Sequence, residues 1–440
     1  MHFDLVVHNG TVLTVNPAFD TIEDGIVCIR DGKIENLFPH QDDSPLPEAR
    51  EFLDAKGGII MPGLVNTHTH LPMTLFRGLA DDLPLDVWLN EHIFPAEGKY
   101  INPENVRLGA ELGCAEMLLS GTTTVCDGYF LEDEVAAAVL ASGMRAILGQ
   151  GVIDFPAPGV QDPSRNVEAA VAFVKKWHDV SPLISPSVFC HSPYTCSEET
   201  LKKAKRAASS LDVLFQIHVA ETQNESTQIP SQNRESPFAY LNRIGLLDQN
   251  TLLVHAVWAD DHDVELIAGS GAKISHNPES NMKLASGIAP VSLFLDSDIT
   301  VGLGTDGCAS NNNLDLFQEL DTVAKLHKVS TLNPTVMDAR TVLQMGTIDG
   351  ARAIGLQKVT GSLEPGKQAD LIILDTHKPH LVPLYNPVSQ IVYAASGADV
   401  KDVIVSGKII VHNREVLSLD VENIIEEVAS LAKVIGAHLR

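Results

Sequence analysis

His68 and His70 stand one residue apart behind the string Pro62-Gly63-Leu64-Val65-Asn66-Thr67, a spacing that suits metal chelation. In extended backbone, residues i and i+2 project to the same face, so two imidazoles at that spacing can converge on one ion. Such a pair alone can be no more than a solvated strand end, but three further places in the chain change the reading. His218 sits near the end of Phe215-Gln216-Ile217-His218-Val219 with Glu221 just beyond it, His255 closes Thr251-Leu252-Leu253-Val254-His255, and Asp306 follows Val301-Gly302-Leu303-Gly304-Thr305. Taken singly, Glu221 reads as a carboxylate favoured at a helix start, His255 as a buried structural histidine and Asp306 as half of an Asp-Gly turn. Taken together, they are polar residues in one register, each at the end of an apolar run. His68, His70, His218 and Asp306 supply the nitrogen and oxygen donors of a divalent transition ion such as zinc and leave a position for water. Glu221 is placed to take a proton from activated water and pass it to a leaving nitrogen, and His255 to bind the metal or to steady the water and the developing oxyanion. The chemistry is hydrolysis.

The runs that must position these residues alternate with amphipathic stretches, the pattern of repeated βα units and a parallel sheet. Eight strands are expected, at 59–61, 122–126, 145–148, 184–188, 215–219, 251–255, 273–275 and 300–304. Eight such units fit an α/β TIM barrel, in which active-site groups sit at the carboxyl ends of strands. From Phe3 to about Leu53 the texture differs, with short alternating strands and the hairpin signal Arg30-Asp31-Gly32-Lys33; it returns in Ala369–Leu374 and Val403–Val411. The two chain ends are therefore expected to form one small β-sandwich domain, from residues 1–60 and 365–440, the latter ending in a helix, around a catalytic barrel at 61–364. The loops 154–165 and 222–237 are long and irregular, as loops over a barrel mouth often are.

Composition narrows the function. The chain has 440 residues, and 57 acidic against 31 basic side chains give a net charge of −26, which repels phosphate backbones and anionic lipid surfaces. Nucleic acid is excluded as a partner on that ground, and no run of about eighteen apolar residues is present to cross a bilayer. The opening Met1-His2-Phe3-Asp4-Leu5-Val6-Val7 reads as a strand, not a secretory leader, so a cytoplasmic protein is expected. The six cysteines are scattered, as reduced and mostly buried thiols would be. Cys-x-x-Cys, Gly-x-x-x-x-Gly-Lys-Ser/Thr and Gly-x-Ser-x-Gly are missing, which removes support for thiolate-zinc deaminase, phosphate-loop and serine-hydrolase mechanisms.

With these residues in view, the chain resembles the amidohydrolase superfamily through Pro62–His70, His218, His255, Gly304-Thr305-Asp306 and the late Gly361–Leu371. Within it, Thr74–Leu85, Trp88 and Phe94-Pro95-Ala96-Glu97 look most like the 5-methylthioadenosine/S-adenosylhomocysteine deaminases. The resemblance implies one zinc per subunit, with iron or manganese as alternatives, held by His68, His70, His218 and Asp306, with Glu221 as proton shuttle and His255 as partner of the attacking water. It also implies that Glu97 binds the ribose hydroxyls, that His191 contacts the nucleoside and that Asp306 meets both metal and water. The implied reaction replaces the amino group on carbon six of adenine by oxygen and releases ammonia, with a small-molecule nucleoside as partner. Homologous barrels often associate, so a homo-oligomer is compatible.

One departure bears on the substrate. Some relatives carry an arginine after the third barrel strand that can hold the amino-acid carboxylate of S-adenosylhomocysteine; alignment by eye puts Gln150 there, with Arg165 in the next loop as a substitute. Losing a guanidinium weakens recognition of a charged tail, so uncharged 5′-methylthioadenosine, with adenosine, is the expected preference. Two other readings differ in kind: the same barrel and metal acting on guanine, cytosine or a chlorinated triazine, and a non-enzymatic descendant of the fold. Glu97 and His191 favour the nucleoside, and no expected ligand or shuttle residue is missing.

Overall fold

The computed structural model describes residues 2–41, 44–229 and 235–437. Five strands open the chain: β1 (Phe3–Leu13), β2 (Thr21–Arg30), β3 (Lys33–Pro39), β4 (Ala49–Asp54) and β5 (Ile59–Pro62). Eight follow with helices between them: β6 (Leu64–Thr69), β7 (Thr122–Tyr129), β8 (Arg145–Val152), β9 (Ile184–Cys190), β10 (Phe215–Val219), β11 (Thr251–His255), β12 (Lys273–His276) and β13 (Val301–Leu303). The last four are β14 (Leu371–Leu374), β15 (Val400–Val405), β16 (Lys408–His412) and β17 (Glu415–Val416), before a closing helix, Val421–Ala437.

Strands β6 to β13 pair in chain order, all parallel, as the barrel. Helices cover their outer face, so nearly every residue of these strands is buried, which is why they read as continuous apolar runs. The ring closes between β13 and β6 largely through side chains. Asn66 donates from Nδ2 to Thr305 Oγ1 at 2.8 Å and accepts from the Thr305 amide at 3.2 Å, and the Asp306 amide donates to the His68 carbonyl at 3.0 Å. Gly302 lets the two strands approach: a Cβ there would lie 2.4 Å from the Thr67 methyl.

The chain ends join in one nine-stranded sheet in which β5 pairs antiparallel with β14, as expected of the two termini. It curls around a core of Leu5, Val7, Val27, Ile29, Leu371, Ile373 and Ile404, so strands from both ends bury the same apolar surface. One expectation is corrected. The segment 59–61 is not the first barrel strand but lies in β5 of this terminal sheet; the first barrel strand is Leu64–Thr69, separated from β5 by Gly63 alone. Its polar sequence hides it, because Asn66, Thr67, His68 and Thr69 are buried for the site and the barrel seam, not for apolar packing.

Sheet and barrel are tied by Arg145, at the start of β8. Its guanidinium donates to both carboxylate oxygens of Asp370 at 2.8 and 3.2 Å, to Ser406 Oγ at 2.8 Å and to the Pro182 carbonyl at 2.9 Å, and both charged side chains are buried. Removing one partner of such a pair strands the other without water. Arg145→Ala is expected to destabilise the protein by about 3–5 kcal/mol in chemical denaturation.

Candidate metal centre and active site

The ends of β6, β10, β11 and β13 deliver their polar groups to a common point, two of them from β6. The rings of His68 and His70 lie 4.7 Å apart at 87°, and those of His68 and His218 4.9 Å apart at 89°. His218 Nε2 stands 3.1 Å from His68 Nε2, and Asp306 Oδ1 is 3.5 Å from Nε2 of both His68 and His70. Two overlapping triads, His68–His70–Asp306 and His68–His218–His255, have their candidate ligand atoms within 4.8 Å of one another, and all five residues are buried. The backbone is bent to achieve this. Ala220, His255, Ala256 and Asp306 all adopt left-handed φ between 49° and 74°, at a cost of about 1–3 kcal/mol each, just where β10, β11 and β13 end.

Around these residues lies a layer of hydrogen bonds that aims them. His70 Nδ1 meets the Gly128 carbonyl at 2.6 Å, which turns Nε2 inward. Asp306 Oδ2 accepts from Ser280 Oγ at 2.7 Å and Ser310 Oγ at 2.9 Å, and Oδ1 from the Gly307 amide at 2.8 Å. His255 Nδ1 faces the Asn281 amide at 3.0 Å, leaving Nε2 3.7 Å from Glu221 Oε2. The amide of Glu221 donates to buried Glu225 at 3.0 Å, which fixes the turn carrying the shuttle candidate.

Burial sets the charges. It pushes the imidazoles down, that of His70 to about 4 and that of His191 to about 3, with His218 also well below its ordinary value through burial and the neighbouring histidines. At neutral pH they are free bases, the form that ligates metal. Burial acts the opposite way on Asp306, but the hydrogen bond from His68 and the surrounding imidazoles hold its carboxyl well below the usual carboxylate range. Glu221 is pushed up to about 8 by burial and by the Asp306 charge, and Glu97 up to about 7 by burial, against the Tyr129 hydrogen bond. A cluster of neutral nitrogen donors with one ionised carboxylate fits a divalent cation.

The remaining expected residues fall into two groups. His191, just past β9, belongs to the cluster: its ring is 5.2 Å from that of His218, with Nδ1 held by Thr195 Oγ1 at 3.0 Å, and it lines the small cavity over the candidate metal ligands together with Glu221 and His255. Glu97, in helix Phe94–Tyr100, lines an adjoining cavity and accepts from Tyr129 Oη at 2.5 Å. Gln150 and Arg165 do not meet the site. Gln150 sits in β8 with its side chain turned into the helix layer, where Oε1 accepts from the Glu132 amide at 3.2 Å, so its identity carries no information about a substrate tail. Arg165 is 73% exposed and faces Glu168 at 3.7 Å. Of the loop expected at 222–237, residues 230–234 lie outside the described residues; Thr222, Gln223, Asn224 and Gln228 line the mouth, a cavity of about 890 Å3.

Asp127 escaped the sequence reading. It lies near the end of β7, the same register that flagged the other residues, and its Oδ1 accepts from the Leu71 amide at 2.5 Å, just past His70. With the Gly128 carbonyl on the ring itself, β7 holds the His70 side chain and the backbone that follows it.

A parallel barrel with a chelating cluster at its strand ends defines a class, the metal-dependent barrel hydrolases. The chain belongs to the amidohydrolase family, whose model matches residues 59–410. It is 46% identical to a 5-methylthioadenosine/S-adenosylhomocysteine deaminase of Syntrophobacter fumaroxidans, over 98% of both chains. It is 45% identical to a 5′-deoxyadenosine deaminase of Methanosarcina mazei, over 99% of both. An adenosine deaminase from Xanthomonas campestris, solved with bound zinc, superposes with a TM-score of 0.96 at 37% identity over 99% of both chains. No helix among the described residues is long and apolar enough to cross a membrane.

The grip of β7 on His70 is open to test. Asp127→Ala is expected to weaken the binding of a divalent metal about 10–100-fold in chelator competition while leaving the far-ultraviolet circular dichroism unchanged.

Proposed function

We propose that the chain hydrolyses the 6-amino group of an adenosine derivative, with 5′-methylthioadenosine, 5′-deoxyadenosine, S-adenosylhomocysteine and adenosine as the candidates, giving the inosine derivative and ammonia. The observation that carries this reading is the facing pair Glu221 and His255 at 3.7 Å over the His68–His70–Asp306 cluster, with a second buried carboxylate, Glu97, in the next cavity. His68, His70, His218 and Asp306 would hold one zinc ion, in keeping with the zinc of the Xanthomonas campestris adenosine deaminase; iron and manganese suit the same donors. When bound, the ion acts as a Lewis acid that brings the acidity of water towards neutrality.

Burial and the Asp306 charge raise the Glu221 carboxyl above the ordinary carboxylate range, so it holds a proton more firmly than a free carboxylate and suits the carrying of one between groups. It takes one from the attacking water and delivers it to the departing nitrogen, so water adds oxygen to carbon six and the amino group leaves as ammonia. His255 steadies the water and the charge developing at carbon six, and ionised Asp306 orients the water's second proton. His191 contacts the nucleoside, and Glu97 accepts from the ribose hydroxyls. A free base or a triazine would give Glu97 nothing to hold. The acidic surface and reduced thiols suit a cytoplasmic enzyme acting on a small molecule.

A panel of nucleosides and free bases, with ammonia release measured on metal-replete protein, tests the assignment; turnover of free bases alone would remove it. Glu221→Gln is expected to lower kcat by about 10²–10⁴-fold without loss of bound metal. A pH dependence follows from Glu97, which accepts from hydroxyls more strongly as a carboxylate than as a carboxylic acid, and which ionises as pH rises through about 7. KM for the nucleoside is expected to rise as pH falls through 7, and to lose that dependence in Glu97→Gln.

A further inference from the structure

Two spaces meet at Phe94, which lines both, and the first also shares Leu85, Leu89, Tyr194 and Leu284 with the small cavity over the metal cluster. One is the mouth, lined by polar groups including Asp82, Asp86 and Gln223, where Lys283, the one lining cation among the described residues, is bound to Asp81 at 2.6 Å and to Asn312 at 2.5 Å. The other is a cavity of about 350 Å3 between helix Phe94–Tyr100 and the loop after β8, walled by Phe94, Phe130, Phe155, Pro156 and Pro158. The rings of Phe94 and Phe155 pack edge to face there at 5.3 Å, and Phe94 reaches back to within 6.0 Å of the His191 ring. Glu97 is the one ionisable group on this wall among the described residues. Its Oε1 is taken by Tyr129, which leaves the other oxygen to accept from a ligand.

We infer that the 5′ substituent of the nucleoside lodges in this cavity, not in the polar mouth, and that the cavity selects an uncharged, apolar substituent. The inference rests on the adenosine-derivative reading above and adds to it the residues that choose among the derivatives. A sugar whose hydroxyls bond Glu97 has its C5′ separated from the carbon bearing the 3′-hydroxyl by a single ring carbon, so whatever C5′ carries falls against the phenylalanine and proline walls. A methyl or methylthio group is at home there. An α-amino-acid tail would bring an ammonium and a carboxylate into a space with no lining cation among the described residues, where an unpaired charge loses hydration without recompense. Gln150 and Arg165 play no part in this choice, since neither side chain lines the cavity.

Gly98 offers a clean probe. It lines the cavity at an exposed position of helix Phe94–Tyr100, and a Cβ added there meets no atom within 4 Å, so a leucine can be accommodated without displacing the metal cluster and narrows the cavity at its solvent side. Steady-state kinetics of the metal-loaded protein would be compared on adenosine, 5′-deoxyadenosine, 5′-methylthioadenosine and S-adenosylhomocysteine. In the wild type, kcat/KM for 5′-methylthioadenosine is expected to exceed that for S-adenosylhomocysteine at least about tenfold. Gly98→Leu should lower kcat/KM for 5′-methylthioadenosine by about tenfold, through KM, and that for adenosine by less than about threefold. Pro156→Arg, on the exposed loop, provides a second arm: a guanidinium at the cavity rim should raise S-adenosylhomocysteine relative to 5′-methylthioadenosine about tenfold. Equal losses on all four substrates in Gly98→Leu, or a wild-type preference for S-adenosylhomocysteine, would overturn the cavity assignment alone. Ammonia from none of the four would overturn the adenosine-derivative reading with it.

Discussion

Five metal-seeking side chains crowded into one water-poor pocket can coexist only while the histidines stay neutral and the carboxylate does not. The surrounding architecture serves that constraint. Burial depresses the imidazoles, so the cluster carries a single formal negative charge on Asp306, and that charge is spread over two serine hydroxyls and a backbone amide. Left-handed turns at three strand ends bring the groups closer than ordinary strand geometry would, and the barrel absorbs the strain because each strand is bonded to its neighbours. Glu221 gains from the same surroundings. The charge that prepares Asp306 for a cation raises the carboxyl beside it into the range of a useful proton carrier.

Much of this was legible before the fold was known, because a parallel barrel converts a position in sequence into a position in space. A polar residue ending an apolar run is a residue at the barrel mouth, and His218, His255 and Asp306 could be read that way from spacing alone. The same rule hid β6, because its inward face is histidine, asparagine and threonine, so the neighbouring apolar stretch Ile59–Pro62 took its place in the count. Asp127 was missed for a related reason. The strand expected at 122–126 stops one residue short of it, whereas β7 runs on to Tyr129.

Direction is harder to read than position. Counting along the third barrel strand finds Gln150 but does not say which way it faces, and only the alternation of β8, with Gly149 and Gly151 on the opposite side, turns it away from the site. Cavities are harder again, because they belong to no segment. The space beside Glu97 is bounded by a helix after β6, the end of β7 and the loop after β8, and none of these stretches is unusual on its own.

The terminal sheet bears on how the molecule is made. Strand β5 lies between β1 and β14, with Ile59 opposite Leu374, so nearly the whole barrel separates pairing partners in the order of synthesis. A ribosome delivers the first five strands long before β14 exists, and the apolar faces of Val7, Val27 and Ile60 have only one another to cover them until Leu371, Ile373 and Ile404 emerge. The last strands to be translated thus complete the shelter of the first, and a nascent chain truncated within the barrel would expose an unpaired strand edge at β5.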